Sequence, residues 1–278
     1  MSTWDEADPP APPPTGPLRA VVAVLRGVLL ILWLVLAIAI YLPLKWVQPL
    51  LGGRRPRYAV MRLWARGSLR LIGLRRIVHG TPPPDGAALV ANHSSWLDIM
   101  AFCSIGRTVF VAKSEVADWP AIGWCARMMD AMFVERRSSA AARQKLEMAE
   151  RLAQGQQLLF FPEGTSTDGQ RVLPFKSPLF AAFSDMESGV KIQPVAAIYV
   201  PAPHLPATFY GWWGDMSLGG SLWTLLAHSY GGTLHLSFAP AVEAADFAGR
   251  KELARHCGEQ VRAHWALHSP AGQAITIS

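Results

Sequence analysis

The hydrophobic pattern near the start of the chain predicts a membrane helix. Residues 27–44, GVLLILWLVLAIAIYLPL, form an uncharged run of 18 residues between Arg26 and Lys45. A run of this length is just long enough to cross a hydrocarbon core of about 30 Å, and it lacks the polar face of a soluble core helix. No small-residue cleavage site follows it, which argues against a removable signal peptide.

The next segment has a different pattern, in which arginines alternate with apolar residues. From Lys45 to Arg76 there are nine basic residues and no acidic one, and apolar residues recur at helical spacing between Tyr58 and Leu74. Such a helix suits a bilayer surface with anionic lipids. A nucleic-acid partner is disfavoured because the segment directly follows a membrane helix.

The same positive charge predicts that the rest of the chain faces the cytoplasm at the cell (inner) membrane. Two arrangements of the anchor remain open. The apolar helix either spans the bilayer or forms, with the basic helix, a hairpin that dips into one leaflet.

A change of pattern follows the linker TPPPDG at residues 81–86. Short apolar or β-branched runs then alternate with helical stretches, which predicts an α/β domain with a largely parallel sheet flanked by helices. The predicted strands cover residues 87–91, 108–112, 131–135, 157–161, 192–199 and 233–238. The predicted helices cover residues 96–103, 122–129, 140–154, 177–186, 221–229 and 245–268.

These patterns divide the chain into three parts. Residues 1–18 are rich in proline and are expected to be disordered. Residues 19–79 are the hydrophobic and basic helices of a membrane anchor, and residues 80–270 form the α/β domain.

Composition and charge narrow the class of protein. The hydrophobic content of 51% and the mean hydropathy of +0.20 are high for a soluble enzyme, and the net charge of +6 favours an anionic partner. The three cysteines, Cys103, Cys125 and Cys257, are odd in number and show no CxxC spacing. They are therefore expected to be reduced thiols in a cytosol-facing protein, without a disulfide or a zinc site.

The stretch AALVANHSSWLD at residues 87–98 carries the first candidate chemistry. Side chains five residues apart on a continuous helix point about 140° away from each other, so His93 and Asp98 can meet only if His93 precedes the helix and Asp98 lies in its first turn. Ser94 and Ser95 are good N-cap residues for such a helix. The predicted result is a general base, His93, held by a carboxylate.

A second candidate region is FPEGTSTDG, which follows a predicted buried strand. Open α/β sheets place their sites at the carboxyl ends of strands. Glu163, with the backbone amides of Gly164 and Thr165, is a candidate to position an acceptor headgroup. The alternative is that the Glu163 carboxylate only caps the turn.

Four segments together resemble the sequence blocks of the glycerophospholipid acyltransferase superfamily. NHSSWLD (residues 92–98) is similar to its NHxxxxD signature, and AMFVERR (131–137), FPEGT (161–165) and QPVAAIY (193–199) are similar to its second, third and fourth blocks. AKSEVADWPAIG (112–123) resembles its lysine–glutamate segment. The resemblance covers about residues 80–199, with the blocks in order.

This resemblance implies a membrane-bound O-acyltransferase that moves a fatty acyl group from an acyl thioester to the free hydroxyl of a lysolipid. The expected acyl donor is acyl-acyl carrier protein or acyl-coenzyme A, and no metal or other cofactor is expected. His93 and Asp98 are the implied catalytic residues. The implied substrate-binding residues are Asn92, Lys113, Arg136, Glu163, Gly164, Thr165, Ser166 and Lys176. A salt bridge to Glu115, or the membrane, accounts equally well for Lys113.

One departure from the family pattern concerns the acceptor. Members that act on lysophosphatidate usually carry arginine directly after EGT, where this chain has Ser166. Serine cannot clamp a phosphate in the bidentate way of arginine. The resemblance therefore points to the bacterial branch that acylates lyso-ornithine lipid, with lysophosphatidate as the other acceptor. A membrane-associated thioesterase and a non-catalytic lipid-binding protein are the alternative functions.

Two tryptophans and three histidines lie toward the carboxyl terminus. Trp212 and Trp213 either border an acyl entry at the membrane interface or pack in the core. His256, His264 and His268 show no acidic partner at metal-binding spacing beyond Glu259, so they are expected to be surface residues.

Overall fold

The computed structural model describes residues 4–51, 56–83, 86–119, 122–135, 138–184 and 190–277. Its α-helices are α1 Pro17–Val47, α2 Arg57–Ile72, α3 Asp98–Cys103, α4 Ile122–Met128, α5 Ser138–Ala153, α6 Ala181–Ser184, α7 Leu218–His228, α8 Arg250–His268 and α9 Pro270–Ile277. Its strands are β1 Leu74–His79, β2 Ala88–Ala91, β3 Thr108–Lys113, β4 Met132–Val134, β5 Gln157–Phe160, β6 Lys191–Val200, β7 Gly232–Phe238 and β8 Val242–Glu243.

The strands form one mixed, largely parallel sheet in the order β1-β7-β6-β2-β5-β3-β4, with β8 beside β6. The pairs β6–β2, β2–β5, β5–β3 and β3–β4 are parallel, and so is the pair β1–β7. The pair β6–β7 is antiparallel. The predicted α/β sheet is therefore confirmed. The register pairs Leu89 of β2 with Leu159 of β5 and with Gln193 of β6, which brings the carboxyl ends of these strands to one edge.

Helices cover both faces of the sheet, which explains why the central strand β2 is apolar at every position. In β2, Leu89 packs in a core with residues of α2 and α3, and the next residue, Val90, packs in a second core with residues of α5 and α8. All four residues of β2 are fully buried.

The sheet also contains a strand that the sequence pattern placed in the membrane anchor. Residues Leu74–His79 form β1, which runs parallel to β7 with Leu74 opposite Gly232 and His79 opposite Ser237. Gly73 ends α2 in the left-handed conformation, with φ of 95°, and so allows the sharp turn into the strand. The strand escaped notice because two arginines interrupt its apolar pattern at the sheet edge.

Helices α1 and α2 lie antiparallel and form a hairpin. The indole N–H of Trp33 donates to the carbonyl of Trp64 at 3.0 Å, and Gly67 is the small residue that admits the Trp33 ring. At the other end, Lys45 and Arg57 both pair with the Asp130 carboxylate, at 2.7 and 2.8 Å. The two helices of the anchor therefore pack against each other along their length.

Among the described residues, one helix has the length and composition to cross a membrane, Pro17–Leu51, with a mean hydropathy of 2.8. Only 11% of its most apolar window is buried in the protein. Residues such as Ile31, Leu32 and Val35 expose about half or more of their surface. An apolar surface of this extent indicates membrane association.

Helix α2 is more deeply packed than a helix that lies on a membrane surface. Leu69 and Ile72 are buried in the core against the sheet. The exposed Arg66 and the half-buried Arg76 both donate to the carbonyl of Ser104, at 2.9 and 2.7 Å. Arg57 is buried and pairs with Asp130, whereas Arg66 is exposed and Arg54 and Arg55 lie outside the described residues.

The amino-terminal tail contacts the rest of the protein through Trp4 and Ala7. Trp4 is 6% exposed, and its ring contacts Trp213 edge-on at a centroid distance of 6.2 Å. The indole N–H of Trp213 donates to the carbonyl of Ala7 at 2.7 Å. Trp213 is 3% exposed and so packs in the interior, which is the second of its two predicted positions.

The carboxyl-terminal histidines differ from their predicted surface position. His264 is half-buried and its Nδ1 lies 2.8 Å from the hydroxyl of Ser237 in β7. His268 is half-buried and stacks on His79. The prediction failed because α8 packs along the sheet, and the sequence does not reveal which of its faces β1 and β7 cover.

Candidate active site

The candidate active site is built where β2 leads through a tight turn into α3. Residues 92–95 form the turn and α3 begins at Asp98, so His93 precedes the helix and Asp98 opens it, as the five-residue spacing required. The Nδ1 atom of His93 lies 2.7 Å from Oδ2 of Asp98. The predicted pair of histidine and orienting carboxylate is therefore present.

Asp98 is fully buried, and its carboxylate organises the turn. Besides His93, Oδ2 accepts the backbone N–H groups of Ser94 and Ser95 at 3.0 and 3.1 Å. The other oxygen, Oδ1, accepts the hydroxyl of Tyr199 at 2.7 Å. Burial is costly for a carboxylate unless hydrogen bonds satisfy it, and here four donors do so.

The predicted N-cap is not formed by a serine side chain. The N-cap residue of α3 is Leu97, which provides no side-chain hydrogen bond. The Asp98 carboxylate instead reaches back to the two N–H groups of the turn. The two serines matter through their backbone, which places the acid where it holds His93.

The imidazole of His93 is held on its ring face as well as at its edge. Its ring stacks on Phe161 at a centroid distance of 4.2 Å and an angle of 15°. The side chain is 23% exposed, and its second nitrogen, Nε2, has no hydrogen-bond partner among the described residues. With Nδ1 bound to the carboxylate, the hydrogen sits on Nδ1 and Nε2 presents a lone pair, which is the arrangement of a general base.

The Glu163 carboxylate holds the histidine turn by a backbone hydrogen bond. Its Oε2 accepts the backbone N–H of His93 at 2.6 Å, and its Oε1 accepts the backbone N–H of Leu173 at 2.7 Å. The residue is 1% exposed. Both oxygens are thus used inside the protein, and the geometry favours the turn-capping alternative over direct contact with an acceptor headgroup.

Burial also changes the ionisation of this site. It raises the pKa of Glu163 to about 8, although the two backbone N–H donors favour the charged form. Burial, together with the charge of Asp98, raises the pKa of Tyr199 well above its usual value. Tyr199 is therefore a neutral hydrogen-bond donor to the acid at any physiological pH.

Asn92 ties the end of β2 to β6. Its side-chain amide donates to the carbonyl of Ala197 at 2.9 Å, and its oxygen accepts the N–H of the same residue at 2.8 Å. The residue is 1% exposed. These contacts give Asn92 a structural role at the end of β2, and its predicted contact with the substrate stays a prediction.

The EGT turn lies beside the histidine turn, and a backbone hydrogen bond from Thr167 to the His93 carbonyl, 3.0 Å long, joins the two. Gly164 has φ of 72°, a conformation that favours glycine, and the Lys176 ammonium lies 3.1 Å from the position that a Cβ atom would take. Lys176, Ser166 and Thr165 are therefore near the site, and the Thr165 hydroxyl also accepts the backbone N–H of Trp4 at 3.2 Å.

Two predicted cationic residues are not placed by these contacts. Arg136 lies outside the described residues. Lys113 is the last residue of β3, and its side chain lies outside the described part of the structure.

Sequence reasoning missed the roles of Tyr199 and Phe161. Tyr199 ends the fourth sequence block and Phe161 begins the third, but the sequence analysis predicted no function for either residue. An aromatic residue in a buried strand looks like core packing, and the hydrogen bond of Tyr199 to Asp98 depends on the order of β6 and β2 in the sheet.

Comparisons with known proteins agree with this site. The Acyltransferase family model matches residues 75–198. The lyso-ornithine lipid O-acyltransferase of Rhodobacter capsulatus is 41% identical over 258 residues, which cover 91% of this chain and 93% of that protein. The enzyme of the same name from Rhizobium meliloti is 36% identical over 222 residues, or 75% of each chain.

More distant similarities point the same way. A 1-acyl-sn-glycerol-3-phosphate acyltransferase of Neisseria meningitidis is 31% identical over 185 residues, 65% of this chain and 69% of that protein. The fold resembles the crystal structure of the 1-acyl-sn-glycerophosphate acyltransferase of Thermotoga maritima, with a TM-score of 0.60 at 20% identity over 92% of this chain and 98% of that one. The ordered motifs, the histidine–aspartate pair and these relatives agree, and the chain belongs to the acyltransferase family, among its lysolipid O-acyltransferases.

Proposed function

We propose that this protein is a lyso-ornithine lipid O-acyltransferase. Its donor is an acyl thioester of acyl carrier protein or of coenzyme A. The observation that carries the chemistry is the free Nε2 of His93, whose Nδ1 is held by the buried Asp98. A base of this kind activates a hydroxyl rather than binding a ligand passively, which disfavours a non-catalytic lipid-binding protein.

The reaction follows from the position of the base. His93 Nε2 takes the proton of the acceptor hydroxyl while that oxygen attacks the thioester carbonyl carbon. The tetrahedral intermediate then collapses, the carbon–sulfur bond breaks, and the imidazolium returns the proton to the leaving thiolate. Asp98 stabilises the imidazolium, and Tyr199 fixes Asp98. The chain has no GxSxG motif and the histidine turn contains no cysteine, so we propose direct transfer without an acyl-enzyme.

The acceptor is proposed from the EGT turn and from the relatives. Ser166 stands where an arginine would clamp a phosphate monoester, and a serine hydroxyl supplies neither the charge nor the bidentate geometry. The two relatives of 41% and 36% identity are both named lyso-ornithine lipid O-acyltransferases. Lysophosphatidate is the second candidate acceptor, favoured by Lys176 at the same turn and by the Neisseria relative.

We further propose that the site faces the cytoplasm at the inner membrane. The exposed apolar face of α1 supports insertion of the hairpin, and the basic segment that follows it supports a cytoplasmic position for the sheet. Anionic lipids at that surface would attract the exposed Arg70 and Arg75.

The experiment is a two-acceptor assay with purified protein in detergent or in lipid nanodiscs. Labelled acyl thioester is offered with lyso-ornithine lipid or with lysophosphatidate, and both products are quantified. We expect kcat/KM for lyso-ornithine lipid to be at least equal to that for lysophosphatidate. A strong preference for lysophosphatidate would overturn the acceptor assignment.

The same assay separates the other functions. Free fatty acid released while the lysolipid stays unmodified would indicate a thioesterase. Lipid binding that is unchanged in a folded His93→Ala variant, without any turnover by the wild type, would indicate a non-catalytic protein.

A further inference from the structure

Three histidines converge at the edge of the sheet, on elements that do not carry His93 or Asp98. His79 is the last residue of β1, His235 lies in β7, and His268 is the last residue of α8. One ring nitrogen from each lies within 4.8 Å of the other two. The three residues are far apart in sequence, so this convergence is a product of the fold.

The rings are closely packed. His79 Nε2 lies 2.9 Å from His235 Nδ1, and the rings of His79 and His268 stack at a centroid distance of 3.9 Å. All three side chains are half-buried. A small ligand can therefore reach the cluster from solvent, while the surrounding elements hold the rings in place.

His235 and His268 lie in surroundings that favour the neutral form that a metal requires. Burial and the neighbouring histidines lower the pKa of His235 to about 4, and burial, with His79 and His264, lowers the pKa of His268. Neutral imidazole is the form that binds a metal, and the ion would take the lone pairs that the hydrogen bond between His79 and His235 now shares.

We propose that His79, His235 and His268 bind one divalent transition-metal ion of the zinc, nickel or copper class. Imidazole nitrogen suits these ions, whereas magnesium and calcium prefer oxygen ligands, which this cluster does not offer. Three histidines leave a fourth position for water. Tetrahedral zinc with Zn–N bonds of about 2.0–2.1 Å needs nitrogens about 3.3 Å apart. Binding would therefore open the 2.9 Å contact between His79 Nε2 and His235 Nδ1 and turn both nitrogens toward the ion.

The ion would be structural. It would link the edge strand β1 to β7 and to the end of α8, and it would not touch the acyl-transfer chemistry at His93. The positive charge of Arg75 in β1 acts on His235 and opposes the binding of a cation. Arg75 is exposed, so solvent partly screens this repulsion. Arg75→Gln is therefore expected to tighten metal binding.

The test uses the full-length protein, purified with chelator and then dialysed against Zn²⁺ or Co²⁺. We expect one bound ion per chain and, with Co²⁺, the visible absorption of a four-coordinate site. His79→Gln, His235→Gln and His268→Gln should each weaken binding by about tenfold or more, since even the partners of metal ligands affect affinity by 10–100-fold. His204→Gln and His256→Gln, outside the cluster, should bind as the wild type does.

The thermal unfolding midpoint gives a second readout. Zn²⁺ should raise it for the wild type and for His256→Gln but not for His268→Gln, whose position at a helix end lets the variant fold. Absence of stoichiometric binding, or equal binding by all three cluster variants and the wild type, would overturn the proposal. Acyl transfer is measured alongside and should be unaffected by chelator, so this site and the proposed function succeed or fail separately.

Discussion

Tyr199 and His93 bind opposite oxygens of the same buried carboxylate, Asp98, each at 2.7 Å. The strand β6 thereby holds the acid that the turn after β2 uses to orient its histidine. We infer that Tyr199 is a positioning residue, because it acts on the reacting imidazole through Asp98.

Replacing Tyr199 by phenylalanine tests this inference. The variant keeps the ring and leaves Asp98 Oδ1 buried without its donor, which costs about 1–3 kcal/mol of unfolding free energy. We expect kcat to fall by about tenfold, the factor that 1.4 kcal/mol represents, with little change in KM for the lysolipid. Steady-state kinetics and thermal unfolding are the measurements.

Tyr210→Phe is the matched control for that variant. Tyr210 is also a buried tyrosine, but its hydroxyl pairs with Ser229 instead of the catalytic acid. It should lose stability without a comparable loss of kcat. Equal kinetic effects of the two changes would show that Tyr199 acts only through stability.

Removal of the base itself should have the largest effect on catalysis. His93→Ala and Asp98→Asn should each lower kcat by about 10²–10⁴-fold, because the first removes the proton acceptor and the second disturbs the tautomer that presents Nε2. Activity is measured with labelled acyl thioester after circular dichroism has verified the fold. His204→Gln, at an exposed position, serves as the control, and full activity of a folded His93→Ala variant would refute the mechanism.

Glu163 predicts a pH dependence of stability. Its pKa is raised from 4.5 to about 8 in the folded protein, so the folded state binds more protons than the unfolded state between these values. This group therefore lowers stability as the pH rises from about 4.5 to about 8. Glu163→Gln, which does not titrate, should flatten this decline in a pH series of unfolding midpoints.

Glu259→Gln is the control for the pH series, since Glu259 lies exposed on α8 and pairs with Arg255. It should leave the slope unchanged. A Glu163→Gln series that runs parallel to the wild type would mean that Glu163 keeps an ordinary pKa and is ionised throughout.

The acceptor proposal predicts the result of restoring the missing arginine. Ser166→Arg should raise kcat/KM for lysophosphatidate relative to lyso-ornithine lipid by about tenfold or more, because a charge-assisted hydrogen bond is worth about 1.5–3 kcal/mol. Ser166→Lys adds the same charge without the bidentate geometry and should have a smaller effect. An unchanged acceptor ratio in both variants would place the phosphate-binding determinant elsewhere.

The helical hairpin can be tested at its closest approach. A Cβ atom at Gly67 would lie 2.6 Å from the Trp33 indole nitrogen, so Gly67→Val should force the helices apart and cost about 1–3 kcal/mol. Thermal unfolding in detergent measures the effect. In a Trp33→Ala background the same change should be much milder, and equal losses in both backgrounds would exclude Trp33 as the cause.

The sequence alone determined the local features of this protein. The apolar run of α1, the order of strands and helices after residue 86, and the turn that precedes Asp98 all follow from residue spacing, because periodicity and chain geometry act over a few residues. The five-residue spacing by itself required His93 to precede the helix, and the helix begins at Asp98.

Only the tertiary structure decided which residues from distant segments contact each other. Glu163 reaches the histidine turn, Tyr199 reaches Asp98 and Trp4 reaches Thr165, because the order of strands in the sheet and the path of the tail place them there. The strand β1 and the cluster of His79, His235 and His268 likewise arise from pairing between distant segments. Such contacts depend on the arrangement of the whole chain, and the spacing of residues along it does not contain them.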